Sequence, residues 1–250
     1  MDLLPSTLER FNRKERNLLV RDALGHRGVP LRLSDNFRAR LACTLDQPSA
    51  PVPQDAWWAT DFHISWIAGA LAIFARGDAA VSNQFPNPSR SAEDSTKRRY
   101  LIEQNQEDVD LIVSWGRELV FVEAKAYGSF TNTQWKSKLT RLELLHNFYL
   151  SLEIPADRAI RFHVVLASPT KPKLLKGSLP HWLCRRPPDD LPWLELDLGL
   201  TGTAETPSTV LSVNRINNQE KSDWGITAKR PPRSGVGSGP HQSGPGAAEP

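Results

Sequence analysis

The chain has 250 residues, 39% of them hydrophobic and 24% charged, and a net charge of +3. This balance excludes a disordered or strongly polybasic chain, and the length admits one large domain or two small ones. Cys43 and Cys184 have no Cys-x-x-Cys spacing, which excludes a disulfide framework and a cysteine-zinc site and points to a reducing, cytoplasmic setting.

Ser6-Thr7-Leu8-Glu9 reads as a capping box opening a helix, and Gly25 reads as its stop. Leu8, Phe11, Glu15, Leu18 and Asp22 recur at spacings of three and four, so Glu15 falls on an otherwise apolar stripe. Two readings stand for it: a carboxylate turned inward for a purpose, or a surface acid among Arg13, Lys14 and Arg16. No apolar signal core precedes Glu9 and Arg10. Between His26 and Asp46, Leu31, Leu33 and Phe37 suit either a short strand or a helix start. Pro48, Pro51 and Pro53 mark a loop.

Trp57 to Arg76 is predicted as one helix, with Trp58, Phe62, Trp66 and Ala70 four apart and Ile67, Leu71 and Phe74 on an adjoining stripe. Its apolar run, Ile64 to Ala75, is shorter than the ~20 residues that span a bilayer and predicts a buried helix, with no membrane partner. Asp61 and His63 diverge on such a helix, which favours a structural hydrogen bond over paired ligation. Residues 77–96 read as a loop, and Tyr100-Leu101-Ile102 as a short helix or strand after the basic triplet Lys97-Arg98-Arg99.

The densest signal follows. Asp108-Val109-Asp110-Leu111-Ile112-Val113-Ser114 and Leu119-Val120-Phe121-Val122-Glu123-Ala124-Lys125 flank Trp115-Gly116-Arg117-Glu118. Two β-rich runs around a Gly-bearing break predict a hairpin with a two-residue turn at Gly116-Arg117. Pairing Trp115 with Glu118 sets Asp110 opposite Glu123 and Asp108 opposite Lys125, all four on one face. Val109, Leu111 and Val113 would fill the other face, while Ile112 and Phe121 share the acidic one. Opposed carboxylates at about 4.5–5.5 Å between Cβ atoms repel unless neutralised. Magnesium or manganese does this well, because both take oxygen ligands.

Beyond Lys125 a loop leads to a helix capped by Thr131 or Asn132. Trp135, Leu139, Leu142 and Leu145 recur at helical spacing and should pack on the sheet. Gln134, Lys138 and Arg141 share another face, which is either functional or simply solvated. Ile160 to Ala167 predicts a buried strand in which His163 is structural. Lys171, Lys173 and Lys176 lie on a following loop. Trp193 to Leu198 and Val210 to Ile216 read as further strands. From Thr131 to Lys176 there are eight basic and three acidic residues, which leaves the rest of the chain slightly acidic. A basic segment directly after an acidic site suits a phosphate polymer. Residues 231–250 are rich in Pro, Gly and Ser and predict a disordered tail.

An Asp on one strand, Glu-x-Lys on the next and a Gln-bearing helix after it together resemble the PD-(D/E)xK nuclease superfamily. The matching residues are Asp110, Glu123 and Lys125, within about 108–141; Val109 stands where that pattern often has Pro. The resemblance implies an α/β fold of the restriction-endonuclease-like type, a central mixed β-sheet flanked by helices. It implies one domain over 1–230, with a helical part at about 1–96 and the catalytic sheet at about 97–200. It implies Mg²⁺- or Mn²⁺-dependent phosphodiester hydrolysis, with DNA or RNA as partner and a homodimer where two strands are cut. Asp110 and Glu123 would bind the metal with the Ala124 carbonyl, Asp108 being the rival of Asp110. Lys125 would act on water or phosphate. The superfamily's N-terminal helix glutamate maps to Glu15, and its helix Gln to Gln134. Its occasional tyrosine four residues later is replaced by Lys138. The alternative is a nucleic-acid-binding or assembly protein that keeps the fold without turnover.

Overall fold

The computed structural model describes residues 3–11, 15–26, 31–45, 51–91, 98–103, 107–126, 130, 133–172, 180, 182, 192–196, 210–215 and 224–229. The hairpin is its centre. Strand β4 (Asp108–Trp115) and strand β5 (Glu118–Ala124) pair antiparallel from Trp115–Glu118 through Leu111–Val122, the register expected from sequence. Gly116 takes φ +51° in the two-residue turn, a conformation with little cost for a residue without Cβ.

The helix expected over 57–76 divides in two. Trp57–His63 is strand β1, antiparallel to β4, and only Ile64–Arg76 is helix, labelled α4. The sequence explains the division. Trp57-Trp58-Ala59-Thr60 is aromatic and β-branched, which suits a pleated surface, and a partner strand was available. The spacing of four shared by Trp58, Phe62 and Trp66 does not discriminate, since residues four apart also share a face of a strand. Gly77, at φ +63°, ends α4.

Helix α5 (Thr133–Ser151) crosses from β5 to strand β6 (Arg161–Ser168), which lies parallel to β5; strand β7 (Trp193–Glu195) continues in parallel. The sheet order is β1-β4-β5-β6-β7, so β1 is an edge. One face carries Ile112, Leu119, Phe121, Phe162 and Val164 against α4, α5 and helix α1 (Leu4–Glu9). The other carries Val113, Val120, Val122 and Val165 against Leu41 and Leu45, from helix α3 (Asp35–Thr44) and its C-cap. The molecule is thus α/β, a five-stranded mixed sheet between helices. The stretch Ile64–Ser82 is long and apolar enough by composition to cross a bilayer, yet Ile64, Ile67, Leu71 and Phe74 are core.

The N-terminal helix is also two. Pro5 stands in the first turn of α1, and the Ser6–Glu9 box is not used as a cap. Helix α2 spans Glu15–Ala23. It ends at Gly25 (φ +71°), where His26 N–H donates to Arg21 O and Gly25 N–H to Asp22 O, a Schellman motif. Ser34 caps α3 by accepting from Phe37 N–H at 3.2 Å. Two short strands, β2 (Ser89–Ser91) and β3 (Arg98–Tyr100), pair apart from the main sheet. Within residues 197–250, strands β8 (Val210–Arg215) and β9 (Trp224–Lys229) form a hairpin of their own; β9 had no counterpart in the sequence reading. The expected tail, 231–250, lies outside the described residues.

Candidate functional site

The site lies where β4 begins and β5 ends, beside the carboxyl end of β6. There the sheet passes from antiparallel to parallel pairing, and open α/β sheets bind ligands outside the carboxyl ends of such strands. Lys125 N–H donates to Ala167 O at 2.8 Å, which carries the parallel ladder one step past the end of β5.

Asp110 is half-buried, and its Oδ2 accepts from Ala124 N–H at 2.7 Å. Glu123 is buried, 8% exposed. Its Oε2 takes an ion pair from Lys138 Nζ of α5, itself 6% exposed. Burial pushes the Glu123 carboxyl above its ordinary value of 4.5; Lys138 pulls it back, Asp110 raises it again and Lys125 lowers it. Lys138, Asp110 and Lys125 therefore all act on the Glu123 carboxylate. Lys125 Nζ lies 5.3 Å from the Phe130 ring centroid, within cation–π reach.

Asp108 and Asp110 part company. Asp108 Oδ1 meets His63 Nδ1, directly across the β1–β4 ladder. Asp110 is the one beside Glu123. The expectation of four charges on one regular face is corrected in detail. Val109 and Ile112 belong to one core cluster, as do Ala59 and Phe62, although each pair is three residues apart. Leu111 and Val113 belong to the opposite cluster. Both strands thus change face around Asp61 and Asp110, which the register sets opposite each other between Thr60–Leu111 and Phe62–Val109. Asp61 has φ +50°, a left-handed conformation that Asp tolerates better than most side chains.

Glu15 departs from expectation. It opens α2 and is exposed, as is Leu18, because the stripe that carried it is broken between two helices. The next residue, Arg16, reaches Asp61 at 3.7 Å. Gln134 lies in the first turn of α5, and its side chain lies outside the described residues. The face it was to share is buried, not solvated: Lys138 holds Glu123, and Arg141, 4% exposed, holds Glu103. Ser137 Oγ donates to Glu107 at 2.6 Å. Lys138 is the site residue the sequence reading passed over. Its only signal was its place, one helical turn after Gln134. His163 is buried and partnered within the fold. It sits near the start of β6 with Nε2 2.7 Å from Glu118 Oε2, and burial, then Arg161, holds it down to about 4.

No group of three His, Cys, Asp or Glu side chains gathers as a metal cage among the described residues. Magnesium does not need one: it binds through one or two carboxylates and keeps several waters. Asp110, Glu123 and the Ala124 carbonyl are oxygen donors of that kind. A buried carboxylate raised in pKa partly by a second carboxylate is an arrangement that a divalent ion relieves.

No family model, curated protein or solved structure matches the chain. What the fold itself supports is a mixed α/β sheet with flanking helices.

Proposed function

We propose that the protein is a metal-dependent nuclease that hydrolyses phosphodiester bonds in DNA, with the restriction-endonuclease-like version of the α/β fold. One observation carries the reading: Asp110 and Glu123 meet at the end of a buried hairpin, with Lys125 and Lys138 acting on the same carboxylate. Asp110, Glu123 and the Ala124 carbonyl would hold Mg²⁺ or Mn²⁺. When bound, such an ion polarises phosphoryl oxygen and makes water acidic. Lys125 lies beyond the strand end, where its ammonium can hold a phosphate oxygen or orient the attacking water. Asp110 is fixed by Ala124 N–H, and Glu123 by Lys138, so neither needs to reorganise before substrate arrives.

The test is cleavage of plasmid and linear DNA with Mg²⁺ or Mn²⁺. Asp110→Asn and Lys125→Ala should each lose at least about a hundredfold of the wild-type rate. Equal cutting by all three proteins removes the assignment.

The Glu123–Lys138 pair favours a second reading. A carboxylate already neutralised from within can serve a protein that binds nucleic acid without cutting it. Calorimetry separates the two. Mg²⁺ binding by the wild type and none by Asp110→Ala fits the nuclease; no heat from either fits the binding protein.

A further inference from the structure

A second concave site lies along the edge strand, about 330 Å³ in volume, between α1, α2 and the start of β1. Trp57 and Trp58 form its wall, Arg21 and Arg32 approach from α2 and the segment before α3, and Asn17 and Asp55 also line it. Asn17 is 8% exposed and lines the cavity, where a side-chain amide offers both a donor and an acceptor to a ligand. Trp58 is held in place by its Nε1–H donating to Leu31 O at 2.9 Å.

These groups suit an aromatic base joined to an anion. An indole face stacks on any base. An Asn amide fits a base edge that offers both donor and acceptor, and a carboxylate such as Asp55 accepts from an exocyclic amine. Guanidinium groups hold phosphate through paired hydrogen bonds. The place suits it too. Along β1, Trp57 to Asp61 covers about 13 Å at the rise of a strand, and Asp61 stands opposite Asp110. Arg16, next to Asn17, reaches that same Asp61. At about 3.4 Å per stacked step, this is a few nucleotides.

We propose that this cavity is a nucleotide pocket, which holds one base and its phosphate from the strand that is cut at Asp110 and Glu123. The strand's identity rests on the nuclease reading; the pocket does not. The test is binding of a fluorescein-labelled single-stranded deoxyoligonucleotide to the full chain in EDTA, where nothing is cut, followed by anisotropy. Asn17→Ala and Arg32→Glu should each weaken binding about tenfold, and Arg32→Lys should recover part of the loss. Arg32 is exposed, so its replacement leaves folding intact, as a thermal melt would verify. Folded variants that bind as the wild type does overturn the pocket. Binding of dAMP as tight as that of the oligonucleotide overturns its assignment to a strand. Asn17-dependent binding without cleavage in Mg²⁺ keeps the pocket and removes the nuclease, while cleavage with binding unchanged in both variants does the reverse.

Discussion

Lys138 and Glu123 decide how the site behaves as an electrostatic unit. Both are more than nine-tenths buried, so each depends on the other. Removing one partner of such a pair costs about 3–5 kcal/mol, because the other charge stays behind without compensation. Lys138→Met should therefore lower the urea midpoint strongly, and Lys138→Met combined with Glu123→Leu should restore most of it. Mg²⁺ should raise the midpoint of Lys138→Met more than that of the wild type, since the ion then replaces the missing charge. A variant with an unchanged midpoint would place the pair in water. The same pair marks a limit of the sequence. Periodicity puts Gln134, Lys138 and Arg141 on one face, but it cannot say that this face meets the sheet. Only the crossing of α5 over β5 and β6 tells a buried cation from a solvated one.

At the scale of elements, the β4–β5 hairpin was legible because three signals agree: two β-rich runs, a Gly at the turn and one register. Nothing lies within 4 Å of a Cβ built on Gly116, so a substitution there costs backbone strain alone. Gly116→Val should destabilise by about 1–2 kcal/mol in thermal unfolding, and Gly116→Asn by much less. Equal loss from both would show that space, not φ, sets the requirement. Strand β1 was not legible, and Asp61 and His63 were lost with it. Their separation of two diverges on a helix, yet on β1 His63 pairs with Asp108 of β4 and Asp61 lies between the paired Thr60 and Phe62. The first helix failed for a related reason. Its spacing runs on past Glu9, while the chain divides it into α1 and α2, and this sends Glu15 to the surface.

At the scale of the molecule, acid acts on two buried groups with opposite sign. His163 is held down to about 4 in the fold, against about 6.5 unfolded. Above 6.5 it is neutral in both states and costs nothing. As pH falls from 6.5 towards 4, the unfolded chain takes a proton that the fold refuses, and stability drops. Glu123 is raised, so the fold takes its proton first, and its burial cost is relieved as pH falls through its raised value. Denaturation at pH 7 and pH 5 should show a loss that is smaller in His163→Phe, where the refused proton is gone. A loss of the same size in that variant would assign the pH effect elsewhere. The mixed sheet was readable from the order of strands and helices, because a long helix between β-rich runs demands a parallel crossover. The side chains it brings together were less so, because those contacts join distant parts of the chain.

The bond from Lys138 to Glu123 spans fifteen positions, from the end of β5 into the start of the crossover helix α5. During synthesis the hairpin emerges first, and its acids are then ordinary solvated groups on an unfinished strand. Only when the following helix closes over the sheet does the ammonium arrive. A nascent chain released before that helix is complete therefore carries the acids but not the arrangement, and whatever chemistry they perform waits for the fold to finish.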